Sequence, residues 1–228
     1  MTVPMRRSAT DLAPTLVLAF VALGAAINVV GGYAATLTGL PLFLDMIGSA
    51  LVALVLGPWW AALAALITSF VLVPVNGVSN IPFALVGIAA ALTWGYGVRQ
   101  LGLGRTAGRY FALNLLVVLV VSVVATPIVL WLFGGGTGHP SDIITAAFAR
   151  LGPWGAVFAD NLLVNLVDKV LTGYIALAAA SALPAHYIQG GAILPGGAGS
   201  RWVVVAATGI VIGAVLLIAL LALRAAGA

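Results

Sequence analysis

Ionisable and amide side chains interrupt residues 156–183, a stretch of the chain that is long enough to cross a bilayer. A spanning helix needs roughly 20 mostly apolar residues, so polar groups inside one are costly and usually face a partner or a cavity. Asn161, Asn165 and Asp168 follow one another at i, i+4 and i+7, which predicts one shared helical face. Lys169, the single lysine of the chain, lies at the edge of that face. Such groups can bind a polar solute or relay protons; the alternative is a packing network that fixes helix register.

The composition excludes a soluble globular protein. Of the 228 residues, 63% are hydrophobic and only 6% are charged, whereas an ordinary soluble domain has about 25% charged residues. The sequence therefore predicts an all-α, polytopic membrane protein. Its net charge of +4 requires no nucleic-acid partner, because positive charge is expected in cytoplasmic loops. The absence of cysteine excludes disulfides, thiolate catalysis and cysteine-bound metals.

Apolar runs predict seven spans, at about 13–32, 42–56, 59–73, 83–98, 110–133, 156–183 and 202–223. The second and third would be roughly 22 Å long, short for a hydrocarbon core of about 30 Å, so we expect neighbouring helices to shield them or their flanking residues to extend them. We divide the chain into an N-terminal tail, a six-helix domain and a Gly-rich loop with an additional helix, at 1–12, 13–184 and 185–228.

Asp45 is expected in the first turn of the second span. It would there be favoured by the helix dipole, or it would serve as a ligand or as the partner of Lys169. Because Asp168 is adjacent to Lys169, their side chains should diverge by about 100° and pair poorly. Asp160 is two and a half turns away from Lys169, so Asp45 is the expected protein partner of the lysine.

Arginine asymmetry orients the predicted bundle, since cytoplasmic loops carry an excess of positive charge. A cytoplasmic N-terminus puts six arginines inside and two outside, namely Arg6, Arg7, Arg99, Arg105, Arg109 and Arg201 against Arg150 and Arg224. The protein is then a multi-pass protein of the cell membrane. Its connections 33–41, 74–82 and 134–155, which are rich in Asn, Thr, Gly and Asp, face outward.

No motif indicates an enzyme, a cofactor or a metal site. His139 and His186 fall on opposite sides of the membrane in this topology. The glycine run 134–138 lacks the lysine of a phosphate-binding loop, and Ser141 has no oxyanion architecture around it. His139 and Asp142 form the one alternative metal pair, but closed metal sites use three or four ligands.

Five short segments together resemble the membrane substrate-binding (S) components of energy-coupling factor (ECF) transporters. They are FLDMIGSA at 43–50, LGPW at 56–59, NIPFA at 80–84, FGGGTG at 133–138 and NLVDK at 165–169. The match covers about 13–184, and the last two segments are similar to an uncharacterised branch of the group. The resemblance implies a six-helix S component that captures a vitamin-like or nucleobase-like solute from outside. It also implies a transmembrane coupling subunit and two cytoplasmic ATPases as partners.

In that family small residues on the first helix contact the coupling subunit, which would assign this role to Ala22 and Ala26. Outward loops and the outer half of helix 6 line the pocket in several members. The expected solute-binding residues are therefore Asp45, Asn76, Asn80, Thr137, Asn161, Asn165, Asp168 and Lys169. The aromatic side chains expected to stack on a ring are Tyr33, Phe43, Trp131 and Trp154.

Two features of the chain depart from the family. The seventh span is an addition to the six-helix plan, and the Met-His start of the cobalt and nickel members is missing, which argues against a metal substrate. Two alternatives stay open. One is a sensory or structural membrane module, because some related sequences are sensor regions of LytS-type histidine kinases, although no kinase domain follows here. The other is a secondary transporter driven by protons through Asp168 and Lys169.

Overall fold

The computed structural model describes residues 12–188 and 200–226. Within these residues the chain forms helices and no strand. The nine α-helices of this part are α1 Pro14–Thr38, α2 Ile47–Val55, α3 Pro58–Val71, α4 Val73–Asn76, α5 Ala84–Arg99, α6 Ala107–Phe133, α7 Asp142–Ala147, α8 Gly152–Ala182 and α9 Ser200–Ala226. Short 3-10 turns at Val78–Phe83, Ala149–Leu151 and Ala185–Tyr187 complete the helical structure. The predicted all-α class is confirmed.

Five helical segments of this part are long and apolar enough to cross a bilayer. They are Pro14–Thr38, Val78–Arg99, Ala107–Phe133, Ala149–Ala182 and Trp202–Ala222. The protein is thus a multi-pass membrane protein. Of the two spans expected to be short, α3 has 14 residues and α2 only nine, eight of them buried. Neighbouring helices shield α2 from lipid, as expected for an element about 14 Å long. On α3, by contrast, Trp59, Phe70 and Val71 are more than half exposed.

Several expected helix boundaries are wrong, and two of them shape the region around Asp45. α1 continues through Tyr33 to Thr38, where Gly39 ends it in the left-handed region with φ of 61°, so the expected connection at 33–41 is mostly helical. α2 begins at Ile47, and the segment 41–46 before it is irregular. Asp45 therefore precedes the helix. Arg6, Arg7 and the glycine-rich segment 189–199 lie outside the described residues.

Asn28 of α1 fixes where α2 begins. Its Oδ1 accepts hydrogen bonds from the backbone N–H groups of Gly48 at 2.7 Å and Ser49 at 3.1 Å. These donors have no partner inside the helix, and a side-chain oxygen that accepts from them acts as an N-cap. The Nδ2 of Asn28 donates to the hydroxyls of Ser49 and Thr68. One fully buried amide thus joins α1, α2 and α3.

Arg99 of α5 binds the other end of α2. Its guanidinium donates to the carbonyl oxygens of Ala53 and Leu54, which belong to the last turn of α2. A cation at this position complements the negative end of the helix dipole. Side chains from other helices therefore bind both ends of α2, which explains how so short a helix is held within the bundle.

Glycines set the closest approaches between helices. A Cβ atom at Gly48 of α2 would collide with the backbone of Gly24 in α1, and one at Gly95 of α5 would collide with the backbone of Pro58 in α3. Small residues allow such close backbone packing in membrane proteins. Backbone atoms cannot move aside as the end of a flexible side chain can, so these positions require glycine.

The additional helix α9 packs against α8. Gly209 and Gly213 lie four residues apart on α9 and face Tyr174 and Leu171 of α8 closely enough that a Cβ at either glycine would overlap the side chain opposite. This is the GxxxG spacing that favours close helix packing in membranes. The spacing is visible in the sequence and indicates which face of the seventh span is buried.

Candidate functional site

A cavity of about 300 Å³ lies at the end of the bundle where α1 ends and α5 and α8 begin. Residues of 42–46, 72–80 and 137–142 form much of its wall, together with residues of α8. The segments 72–80 and 137–142 overlap two of the three polar connections that charge asymmetry placed on one side, and 42–46 directly follows the other. Seven of the eight expected solute-binding residues line the cavity, namely Asp45, Asn76, Asn80, Thr137, Asn161, Asn165 and Lys169.

Asp168, the eighth expected residue, is not part of the cavity wall but holds that wall in place. Its Oδ1 accepts hydrogen bonds from the backbone N–H groups of Phe43 at 3.1 Å and Leu44 at 2.8 Å. Leu44 adopts φ of 51°, a left-handed conformation that is uncommon for a bulky residue and is maintained only where surrounding contacts fix it. Irregular backbone inside a membrane protein must have its polar groups satisfied by protein, and Asp168 does this for the segment 41–46.

Asp168 is also the ion-pair partner of Lys169. Lys169 Nζ donates to Asp168 Oδ2 at 2.5 Å, and both side chains are fully buried. The expectation that these adjacent side chains cannot pair is wrong. The amides of Phe43 and Leu44 draw the carboxylate toward the segment 41–46, and the four-carbon stem of Lys169 is long enough to follow it. The ammonium also lies 5.8 Å from the centroid of the Phe43 ring, within the range of a cation–π contact.

Asp45 does not form the expected ion pair with Lys169. Among the described residues, Lys169 pairs with Asp168 instead. Asp45 lines the same cavity. Its Oδ1 is buried and accepts no hydrogen bond from the described residues. A buried carboxylate oxygen normally has a hydrogen-bond donor, so Asp45 retains unused capacity to accept one.

The loop over the cavity is folded around Asp142. Its carboxylate accepts hydrogen bonds from the backbone N–H of Gly138 at 2.8 Å and from the Thr137 hydroxyl at 3.4 Å. The ring of His139 stacks on Phe43 with centroids 4.7 Å apart. The two residues considered as a metal pair thus make loop contacts. No group of three or more metal-binding side chains occurs in the described part of the chain.

Amides shape two sides of the cavity. Asn80 Nδ2 donates to the carbonyl of Ser69 at 3.1 Å and ties the connection after α4 to α3. Asn161 and Asn165 of α8 each donate from Nδ2 to the carbonyl one turn earlier, at 3.0 and 2.8 Å. These bonds fix the side-chain orientation of residues that line the cavity.

Asp160 is a cavity residue that the sequence did not single out as a site. It is 7% exposed, its Oδ2 accepts from the Thr145 hydroxyl at 2.8 Å, and its Oδ1 accepts from no described residue. Asp160 directly precedes Asn161 in the sequence, but helical periodicity predicted a polar face that contains Asn161 and Asn165 and not Asp160. Only the packing of α7 against α8 brings Thr145 to it.

Of the four aromatic residues expected to stack on a ring, only Phe43 lines the cavity. Trp131 is 76% exposed and Trp154 is 54% exposed, and their rings contact each other. Tyr33 is 47% exposed on α1. The missed aromatic residues are Phe83 and Phe133, which line the cavity with ring centroids 5.6 Å apart. Both adjoin polar connections, which is the signal that could have found them.

Ala22 and Ala26, expected to contact a partner, lie on the exposed face of α1. Leu18, Leu23 and Val30 are also more than half exposed on this helix. The two alanines are therefore accessible to lipid or to another protein, and their contact with a coupling subunit stays a prediction.

Comparison with protein-family models, curated proteins and solved structures finds no match for this chain.

Proposed function

We propose that the chain is a membrane-embedded binding subunit that captures a small polar solute. The observation that carries this proposal is the gathering of seven expected polar residues around one cavity of about 300 Å³. Ligand sites typically occupy 300–1,000 Å³ and combine an apolar lining with a few placed polar groups. Here the apolar part includes Phe83, Val86 and Val129, and the polar part includes Asp45 and Lys169.

The transport system that we propose for this subunit is an ECF importer. In this proposal residues 13–184 form a six-helix S component with α9 added. The subunit would associate with a transmembrane coupling subunit and two cytoplasmic ATPases. The segments resembling S components support this assignment, since 43–50 and 165–169 supply the wall and the buried ion pair of the cavity. The exposed positions of Ala22 and Ala26 are compatible with docking to a coupling subunit.

Thermal-shift screening of the purified chain in detergent tests solute binding, because a ligand that binds only the folded state raises its stability. We expect a stabilising solute among vitamins, nucleobases and their precursors. Asn165→Leu should weaken its binding about tenfold or more, the effect of lost hydrogen bonding in a buried site. Ser181→Ala is the matched control, since Ser181 is buried on α8, donates to the Leu177 carbonyl and does not line the cavity. A solute that binds Asn165→Leu as tightly as the wild type would contradict this site.

Cysteine labelling tests the orientation that capture from outside requires. The chain has no native cysteine, and α6 separates the connection at Thr106 from the one that contains α7. We expect an impermeant thiol reagent to label Ala147→Cys from outside the cell and to leave Thr106→Cys unlabelled. Both positions are exposed, and Arg99, Arg105 and Arg109 lie on the Thr106 side, as the positive-inside rule requires. The reverse pattern would place the cavity on the cytoplasmic side and overturn capture from outside.

A proton-coupled secondary transporter is the second candidate, and the buried Asp168–Lys169 pair favours it. Buried ionisable groups inside membrane helices occur in proton relays. Solute-driven proton movement in vesicles that contain the isolated chain would support this candidate. Co-purification with an ATPase pair would support the importer.

A further inference from the structure

We propose that the solute of this cavity is an organic cation, such as a protonated amine or an amidinium, whose charge is received by Asp45 and Asp160. This inference rests on the proposed solute-binding function and specifies the chemical class of the solute.

Acidic residues are concentrated around the cavity of an otherwise basic protein. The chain has five acids, all aspartates, and four of them are found here: Asp45, Asp142 and Asp160 line the cavity, and Asp168 bonds to the cavity residue Lys169. No arginine lines the cavity in the described part of the chain. Three aspartates thus line the cavity beside one lysine, and that lysine is paired with a fourth aspartate, although the whole chain has a net charge of +4.

Lys169 does not balance the remaining carboxylates, because Asp168 already matches its charge at 2.5 Å with both groups fully buried. An anionic solute would have to compete with that carboxylate for the ammonium. The Asp142 carboxylate already accepts two hydrogen bonds, from the Gly138 N–H and the Thr137 hydroxyl. The carboxylates with unused acceptor capacity are those of Asp45 and Asp160.

Asp160 gives the second, independent observation. Its side chain is 7% exposed, and Thr145 binds only Oδ2. Oδ1 is buried on the cavity wall and accepts from no described residue. Asp45 Oδ1, in the irregular segment before α2, is likewise buried and accepts from no described residue. A buried charge without a partner is costly, and a cationic solute would offset this cost with charge-assisted hydrogen bonds to these carboxylates.

The rest of the cavity suits a compact apolar body. Met46, Val86, Val129, Phe83 and Phe133 line it, and the volume of about 300 Å³ accommodates a single substituted ring. A flat ring can lie against the Phe83–Phe133 pair while its cationic substituent meets a carboxylate.

Three matched probes test the charge class on the wild-type chain: 2-phenylethylammonium, 2-phenylethanol and 3-phenylpropionate, which share a ring and differ in the charge of the end group. Thermal-shift titration of the purified full chain in detergent measures their affinities. We expect the ammonium to bind about tenfold more tightly than the alcohol, because an ionised donor roughly doubles hydrogen-bond strength. We expect the carboxylate to bind most weakly.

Isosteric variants locate the interaction. Asp160→Asn and Asp45→Asn should each weaken the ammonium probe about fivefold or more and leave the alcohol within about twofold, since only a charge is removed. Asn at 160 can still accept from Thr145. Asp11→Asn is the charge-matched control, because it removes the remaining acid of the chain, and we expect it to leave both affinities unchanged.

The outcomes separate this inference from the proposed function. Equal or tighter binding of the alcohol or the carboxylate overturns the charge class and leaves solute binding standing. If none of the three probes binds, the test is the charge of the solute that the vitamin and nucleobase screen finds. A cationic solute supports the inference, and a neutral or anionic solute overturns it. If neither the probes nor the screen give a ligand, the proposed function fails together with the inference.

Discussion

Replacing Asp168 with asparagine should lower the free energy of unfolding by about 3–5 kcal/mol, the cost of removing one partner from a buried ion pair. Lys169 would keep its charge in a fully buried position and lose the carboxylate 2.5 Å away. The asparagine oxygen could still accept hydrogen bonds from the Phe43 and Leu44 amides. The loss of stability therefore comes mainly from the Lys169 ammonium, which is left buried without an ion-pair partner. Denaturant unfolding in mixed micelles measures it. Asp142→Asn is the control, because Asp142 is partly exposed and accepts hydrogen bonds from neutral loop groups, the Gly138 N–H and the Thr137 hydroxyl.

A double-mutant cycle isolates the pair. Asp168→Asn combined with Lys169→Met removes both charges, so the double variant should be more stable than Asp168→Asn alone by more than about 1 kcal/mol. The corresponding cycle between Asp45 and Lys169 should give a smaller coupling, since no direct ion pair joins them. If the Asp168 and Lys169 effects simply add, the two side chains do not interact in the folded protein.

Replacing Gly48 with alanine should destabilise the protein by more than about 3 kcal/mol, beyond the usual range for an added methyl group. The new Cβ would overlap the backbone of Gly24, which belongs to a helix and cannot move alone. The helices α1 and α2 would have to separate, and the hydrogen bonds from Gly48 and Ser49 to Asn28 would lengthen. Because the segment 41–46 precedes α2 and lines the cavity, solute affinity should fall as well.

Gly108→Ala is the matched control for this substitution. Gly108 lies in the first turn of α6, and a Cβ added there would meet open space, with none of the surrounding side chains or neighbouring helices within 4 Å. Alanine has the higher helix propensity, and we expect a neutral or slightly stabilising effect. Similar unfolding free energies for the Gly48 and Gly108 variants would show that α1 and α2 do not meet at their backbones.

Composition and apolar run length were sufficient to predict an all-α membrane protein, because the bilayer imposes its requirements on each span separately. Helical periodicity likewise predicted one face for Asn161, Asn165 and Asp168, with Lys169 at its edge. The structure brings Asn161, Asn165 and Lys169 to one cavity and leaves Asp168 behind its wall. Spacings of three and four residues fix a common helical face whatever the neighbouring helices are. The binding of a solute by these residues stays a prediction.

The tertiary structure decided which groups those side chains meet. The start of α2 depends on Asn28, twenty residues before Gly48, and the orientation of Asp168 depends on the Phe43 amide, 125 residues away. No local pattern encodes such partners, because they exist only once two helices are packed. For the same reason the sequence assigned Lys169 to Asp45 and did not place Asp160 among the site residues. Periodicity determines the face on which a polar side chain lies, and helix packing determines whether its charge is already matched.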